Sequence, residues 1–426
     1  MIEAESCYDF LPITKEELAM SKPHETEQMN TPAPSTRVSR RLFLQSIAGA
    51  SSVTLLATGV AQPQVQPQTP QAAPPRPHVK ETPAEWFISH GLNQEMRWEQ
   101  MYGRGYLTPT SLFFIRNHDP SPTIDLKTWR LKVEGSGVKR SLELSYDELL
   151  RLPSLSVTRY LECAGNGRTF FQEVLDKPAK GTPWRLGAFG IAEWTGVPLK
   201  EILQRAGLKR TAVDVMPTGL DARHIERPMP IAKALEDDTL LVYAMNGDTL
   251  SPDHGFPARI LVPGWIGIAS IKWVGKIHVS EQALAVQKNT TDYVMVGPDF
   301  LEKPPAKGPA LTLQTPKSAI ALPWPAMLPA GSHLIRGYAW SPYGKIVTVE
   351  YSLDTGKRWH LATLRTPNLA RAGVRWDFVW EAQPGTYTLM TRARDERGQI
   401  QPKTVPWNEL GYAFWAVVRH PVQVTA

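Results

Sequence analysis

Beyond about residue 308 apolar side chains return at every second position, and this alternation constrains the fold more than any other feature of the chain. Ile346-Val347-Thr348-Val349-Glu350-Tyr351-Ser352-Leu353 runs into an Asp354-Thr355-Gly356 turn. Trp376, Phe378 and Trp380 alternate with Asp377, Val379 and Glu381, and Tyr387, Leu389, Thr391 and Ala393 form another such face. A period of two sends neighbouring side chains to opposite sides of an extended chain, so each segment reads as a strand with one buried face. Several short strands of this kind predict an immunoglobulin-like β-sandwich over residues 308–426.

The preceding stretch, residues 81–307, mixes both periods. Pro198-Leu199-Lys200-Glu201-Ile202-Leu203-Gln204-Arg205-Ala206 has proline at a first-turn position, apolar residues at helical spacing and Gly207 as a stop. Ala258–Val262 and Ile271–Val274 read as strands. Strands and helices do not alternate regularly, which argues for α+β rather than a doubly wound sheet. The chain shows no internal repeat.

The first 61 residues read as an export leader. Ser39-Arg40-Arg41-Leu42-Phe43-Leu44-Gln45 resembles the twin-arginine consensus, Ile47 to Val60 is mildly apolar, and Gly59-Val60-Ala61 offers a cleavage site. The apolar run is too short and polar for a stable membrane span. The 38 residues ahead of Ser39 are long and acidic for such a leader, and Met29 is an alternative start to Met1. Residues 62–80, rich in proline and glutamine, lack the apolar side chains needed to fold and read as a tether. Passage through the twin-arginine route delivers an already folded protein to the periplasm.

Charge narrows the partners. The leader holds five Lys/Arg and seven Asp/Glu, so its removal leaves 42 cations against 34 anions. That excess favours a small anionic substrate or an acidic partner. The basic residues are scattered, without a Lys/Arg run interleaved with aromatics, which argues against nucleic acid. Only Cys7 and Cys163 exist, so no disulfide framework survives loss of the leader.

Three blocks carry chemistry. In Phe113-Phe114-Ile115-Arg116-Asn117-His118, Arg116 and His118 share one face if the segment is extended. In Glu162-Cys163-Ala164-Gly165-Asn166-Gly167-Arg168, a lone cysteine sits among small residues with an arginine within reach. A thiolate there suits a soft or high-valent metal. An inert buried cysteine, or a nucleophile with His254 or His224 as base, would use the same residues. In the third, Asp253-His254-Gly255-Phe256-Pro257-Ala258-Arg259 is followed by glycine-rich Val262–Gly267 and by Ser270-Ile271-Lys272-Trp273. It offers positive charge and unobstructed amides, as a phosphate-bearing cofactor requires. It is neither a P-loop nor a dinucleotide fingerprint.

Together the blocks resemble the sulfite oxidase family of molybdenum enzymes, over roughly residues 85–420. The resemblance implies a sulfite-oxidase-like molybdopterin-binding domain (81–307) followed by an immunoglobulin-like dimerisation domain (308–426). It implies molybdenum–molybdopterin as cofactor, with Cys163 as the thiolate on the metal. Arg116 and Arg168 match the family's anion-binding arginines, Tyr293 its active-site tyrosine and Trp184 a pocket wall. Phe114, His118, Asp221, His254, Arg259, Ser270 and Lys272 match positions that hold the pterin and its phosphate.

Two departures stand out. The family's cysteine loop often ends in two adjacent arginines, where this chain has Gly167-Arg168. Vertebrate sulfite oxidases place an arginine before the glycine of Trp-Asn-x-x-Gly, where Trp407-Asn408-Glu409-Leu410-Gly411 has Leu410. Losing that cation would weaken binding of a doubly charged anion by about 1–3 kcal/mol, with Arg392 or Arg394 as replacements.

The function so implied is an exported, periplasmic oxidoreductase that oxidises sulfite to sulfate. The chain has no C-x-x-C-H haem attachment, so electrons would pass to a separate acceptor, a c-type cytochrome. A homodimer through the C-terminal domain is expected. The alternatives are a molybdopterin oxidoreductase acting on another small oxo-acid or sulfur compound, a reductase included, and a non-enzymatic exported adhesion protein.

Overall fold

The computed structural model describes residues 78–426. The twin-arginine segment and most of the expected tether lie outside them. The tether ends earlier than expected. Backbone N–H groups of Val79 and Lys80 donate to the Asp253 carboxylate at 2.6–3.0 Å, so these residues are anchored in the fold.

Two sheets build the N-terminal part. One is antiparallel, in the order Asp248–Thr249, Leu240–Met245, Phe189–Pro198, Leu155–Glu162, with Arg259–Leu261 also on Leu240–Met245. The other runs Leu142–Leu144, Leu131–Glu134, Val274–Ser280, Asp214–Gly219, Met229–Pro230. In it Leu131–Glu134 lies parallel to Val274–Ser280, while the other pairings are antiparallel. Between them lies a core built by Leu131, Val133, Val215, Ile260 and Ile277, closed by Leu199, Ile202 and Leu203 of helix Leu199–Arg205. That helix starts at Pro198 and stops before Gly207 at φ 74°, as the sequence predicts. Its three buried apolar side chains contribute about 1.5–3 kcal/mol each. At seven residues it is the longest helix among the described residues, so the α+β mixture is dominated by strands.

The strand expected at Ile271–Val274 begins only at Val274. Trp273 takes φ 53°, a left-handed conformation costly for a bulky side chain, and breaks the run. The interruption turns Ile271, Lys272 and Trp273 into a cavity instead of a ladder.

The C-terminal part is a two-sheet sandwich. One sheet runs Lys317–Ile320, Gly331–Trp340, Gly373–Ala382, Thr363–Leu369. The other runs Ala326–Pro329, Arg419–Thr425, Gly385–Asp395, Ile346–Ser352, His360–Leu361. Ile335, Trp376, Phe378 and Trp380 of the first meet Val349, Leu389, Ala393 and Val422 of the second in one core. These include the side chains singled out by their period of two.

A third core joins the two parts. Trp340 stacks on Phe189 at 3.9 Å, and Trp98, Tyr160, Tyr338 and Phe414 complete the cluster. Beside it Glu162, wholly buried, receives Lys317 Nζ at 2.6 Å, Trp340 Nε1 at 2.9 Å and Asn166 Nδ2 at 2.9 Å. The sandwich thus grips the residues flanking Cys163. Among the described residues no helix is long and apolar enough to cross a membrane.

Candidate active site

Strand Leu155–Glu162 ends in a tight loop that presents Cys163 to a deep cavity. The loop is fixed by Cys163 N donating to Ala188 O and Asn166 N to Cys163 O, both at 2.9 Å. A Cβ at Gly165 would meet the Arg168 guanidinium folded over it, so a side chain there would push Arg168 aside. Cys163 is buried, a free cysteine.

Ten of the twelve predicted site residues line this one cavity: Phe114, Arg116, His118, Cys163, Asp221, His254, Arg259, Ser270, Lys272 and Tyr293. Arg168 and Trp184 do not. Arg168 lies beside the cysteine loop, held by Leu410 O at 3.0 Å and Thr182 O at 2.5 Å. Trp184 stands behind Phe114, edge to face at 6.4 Å, in the apolar cluster that also packs Cys163.

Around the sulfur the charge is positive and unpaired. Arg116 donates to Asn117 O at 2.7 Å and to Tyr293 Oη at 3.2 Å. Neither Arg116 nor Arg168 has a carboxylate partner among the described residues. Burial pulls Arg168 below its ordinary value, with Cys163 and the nearby phenols opposing. Burial raises the Tyr293 phenol, and Arg116 opposes that. Tyr293 adopts φ 55°, a strained conformation for an aromatic residue. His118 Nε2 lies 3.3 Å from its hydroxyl. Burial, with Arg116, Lys288, Lys272 and Arg223 adding repulsion, pushes His118 down to about 2, so its ring is neutral.

The other end of the cavity is a cationic cradle. Lys272 bonds Asn117 Oδ1 and Asp253 O, and desolvation drives it and His254 well below their ordinary values. Arg259 is pushed down to about 9 by burial. Its Nε and His254 Nε2 are buried without partners. Val79 N, Lys80 N and Ser121 Oγ hold the Asp253 carboxylate, whose charge favours protonated Lys272 against that desolvation. Gly255, at φ 106°, lets Arg259 and Lys272 close on it, for a Cβ would lie 3.0–3.1 Å from both. Buried basic side chains with ring and guanidinium nitrogens left unpartnered suit a phosphate. Asp221 accepts from Ile225 N at 3.0 Å.

The donor set fits a metal delivered inside a cofactor. No three His, Cys, Asp or Glu side chains gather to hold an ion among the described residues. A metal at Cys163 must therefore bring its remaining ligands with it. The cavity joins the lone thiol to the phosphate cradle, and Cys163 with His254, Arg259, Ser270 and Lys272 could hold the two ends of such a group.

Sequence reasoning quoted Asn117, Asp253 and Trp273 inside its motifs without giving them roles; Asn117 and Asp253 orient Lys272, and Trp273 lines the cavity. It missed Arg227, buried with its guanidinium on the carbonyls of Lys288 and Leu311. Arg392 and Arg394 replace no pocket cation. Arg392 pairs with Glu350 at 2.7 Å, and Arg394 is exposed on the same strand of the sandwich.

Comparison with known proteins agrees with this geometry. Residues 118–287 match the oxidoreductase molybdopterin binding domain, and residues 313–424 the Mo-co oxidoreductase dimerisation domain. Sulfite oxidase of Gallus gallus is 36% identical over 333 residues, covering 73% of this chain and 72% of that protein. NADH nitrate reductase of Ulva prolifera is 32% identical over 358 residues, 76% of this chain and 41% of that one. The sulfane dehydrogenase SoxCD from Paracoccus pantotrophus superposes with a TM-score of 0.70 at 28% identity, covering 80% of this chain and 87% of that chain. A non-enzymatic adhesion protein accounts for none of these matches. The chain belongs to the sulfite oxidase family and is a molybdopterin-dependent oxidoreductase whose cofactor is molybdenum–molybdopterin.

Proposed function

We propose that the protein is an exported sulfite dehydrogenase that oxidises sulfite to sulfate and passes electrons one at a time to a separate c-type cytochrome. The observation that carries this reading is the pair of Arg116, partly buried, and Arg168, buried, near Cys163, neither with a carboxylate partner among the described residues. Such a place favours a small oxyanion. The bound molybdenum supplies two-electron, oxygen-atom chemistry. The protein's part is to bind and orient. Arg116 and Arg168 would hold the substrate oxygens. Arg116 donates to the Tyr293 hydroxyl, and Nε2 of neutral His118 lies within hydrogen-bonding distance of it, so the phenol is fixed beside the reacting centre. Phe114, Asp221, His254, Arg259, Ser270 and Lys272 would seat the pterin and its phosphate. Converting sulfite and water to sulfate releases two electrons and two protons, so an external acceptor is required.

The twin-arginine motif at Ser39–Gln45 supports export to the periplasm. The match of residues 313–424 to a dimerisation domain supports a homodimer. A second reading is favoured by the nitrate reductase and sulfane dehydrogenase relatives. In it the same site reduces an oxo-acid or oxidises another sulfur compound. Sulfite-dependent reduction of cytochrome c, with molybdenum quantified in the same sample, separates them. Turnover with sulfite supports the first, and molybdenum without sulfite turnover favours the second.

A further inference from the structure

The segment after Trp407 enters the site from the C-terminal part and is tied down along its whole length. Asn408 brackets it, Nδ2 donating to Tyr412 O and Oδ1 accepting from Tyr412 N, both at 2.8 Å. Leu410 contributes its carbonyl to Arg168 Nε at 3.0 Å. Gly411 passes so near that a Cβ would lie 2.6 Å from Arg168 Cγ. Ala413 N donates to Ala164 O at 2.9 Å, inside the cysteine loop. These ties place one side chain, that of Tyr412. Its ring stacks on Tyr293, centroids 5.2 Å apart and planes at 14°, and the Arg168 guanidinium lies 5.3 Å from its centroid.

The Tyr293 hydroxyl is already engaged by Arg116 and His118. The Tyr412 hydroxyl takes no partner among the described residues, though most of the side chain is enclosed. Burial holds its phenol above the ordinary value, so it carries its proton at physiological pH. Two guanidinium groups and one neutral donor therefore lie near Cys163, Arg116 on the cavity wall and Arg168 and Tyr412 outside the lining itself. Arg227, also buried, adds positive potential at both tyrosines without lining the cavity.

We propose that Tyr412 is a specificity-determining residue, which takes by hydrogen bond the oxygen of a three-oxygen anion that Arg116 and Arg168 leave free. The inference rests on the oxyanion reading above and deepens it. A neutral donor in this position adds recognition without adding charge, so it favours small pyramidal or planar oxyanions over anions that need a third cation. Tyr412 acts in binding, and the ring stack also supports Tyr293.

The test compares molybdenum-loaded wild type with Tyr412→Phe and Tyr412→Leu, using sulfite kinetics and calorimetric binding of sulfate. Tyr412→Phe keeps the stack on Tyr293 and removes only the hydroxyl. It is expected to raise the sulfite KM about tenfold with kcat within about twofold, and to weaken sulfate binding by a similar factor. Tyr412→Leu, which removes the platform as well, is expected to lower kcat besides. A role in folding alone would not give that split. If wild type binds sulfate without oxidising sulfite, and Tyr412→Phe weakens the binding, the substrate assignment fails and this inference stands. Sulfite KM and sulfate affinity in Tyr412→Phe within twofold of wild type would overturn it, and so would a wild type that binds no sulfate.

Discussion

At the scale of single residues, the site is organised by charges that lack the usual partners. Arg168 sits among glycines at 165, 181 and 411, each of which would crowd its side chain if it bore a Cβ. Its position is therefore set by backbone, and substitution should cost binding more than fold. Arg168→Met is expected to raise the sulfite KM by about ten- to a hundredfold with a smaller change in kcat, since a charged hydrogen bond contributes about 1.5–3 kcal/mol. Steady-state kinetics against sulfite concentration checks this, and an unchanged KM contradicts it. The residue types of this site were legible in sequence because thiol, guanidinium, imidazole and glycine clustered in short blocks. Tyr412 was not, because nothing near it in sequence distinguishes it from any other aromatic; long-range bonds to Ala164 and Arg168 define its place.

At the scale of elements, period-two segments were read correctly where both sheets bury one face, as at Ile346–Ser352 and Gly373–Ala382. They were misread at Ile271–Trp273, where apolar residues serve a cavity and Trp273 leaves the extended region. No propensity reveals that choice, because the energy that enforces it comes from tertiary packing. Strand Arg419–Thr425 carries a titratable weakness. His420 is buried against Trp324, its Nε2 2.9 Å from Pro323 O and its Nδ1 unpartnered. Burial holds it down to about 4, with Pro323 opposing and Arg185 assisting. The unfolded chain takes up this proton below about 6.5, whereas the folded one waits until about 4. Stability is therefore full above the upper value and is lost as pH falls through that window. Between about pH 7.5 and about pH 5, wild type should lose about 2 kcal/mol more than His420→Phe in urea unfolding. Equal losses in the two proteins would contradict this.

At the scale of the whole molecule, the sandwich completes the active site as well as standing beside it. It sends Lys317 and Trp340 to Glu162 and the 408–413 segment to the cysteine loop, so both neighbours of Cys163 answer to residues far along the chain. Lys317→Met would strand the Glu162 carboxylate, and breaking such a buried pair costs about 3–5 kcal/mol. Adding Glu162→Gln removes the stranded charge and should recover part of that loss in denaturant midpoint. A double variant no more stable than the single would refute the pairing. The two-part organisation was visible in sequence, but the grip of one part on the other was not, because it rests on a buried ion pair between residues 155 positions apart. The central claim is that Cys163 holds the molybdenum at a site that oxidises sulfite. The most direct measurement is sulfite turnover with molybdenum content in wild type and Cys163→Ser. The account predicts molybdenum and turnover in wild type, and a folded Cys163→Ser protein without turnover, since a hard alkoxide does not replace the thiolate. A Cys163→Ser protein that oxidises sulfite at the wild-type rate would contradict it.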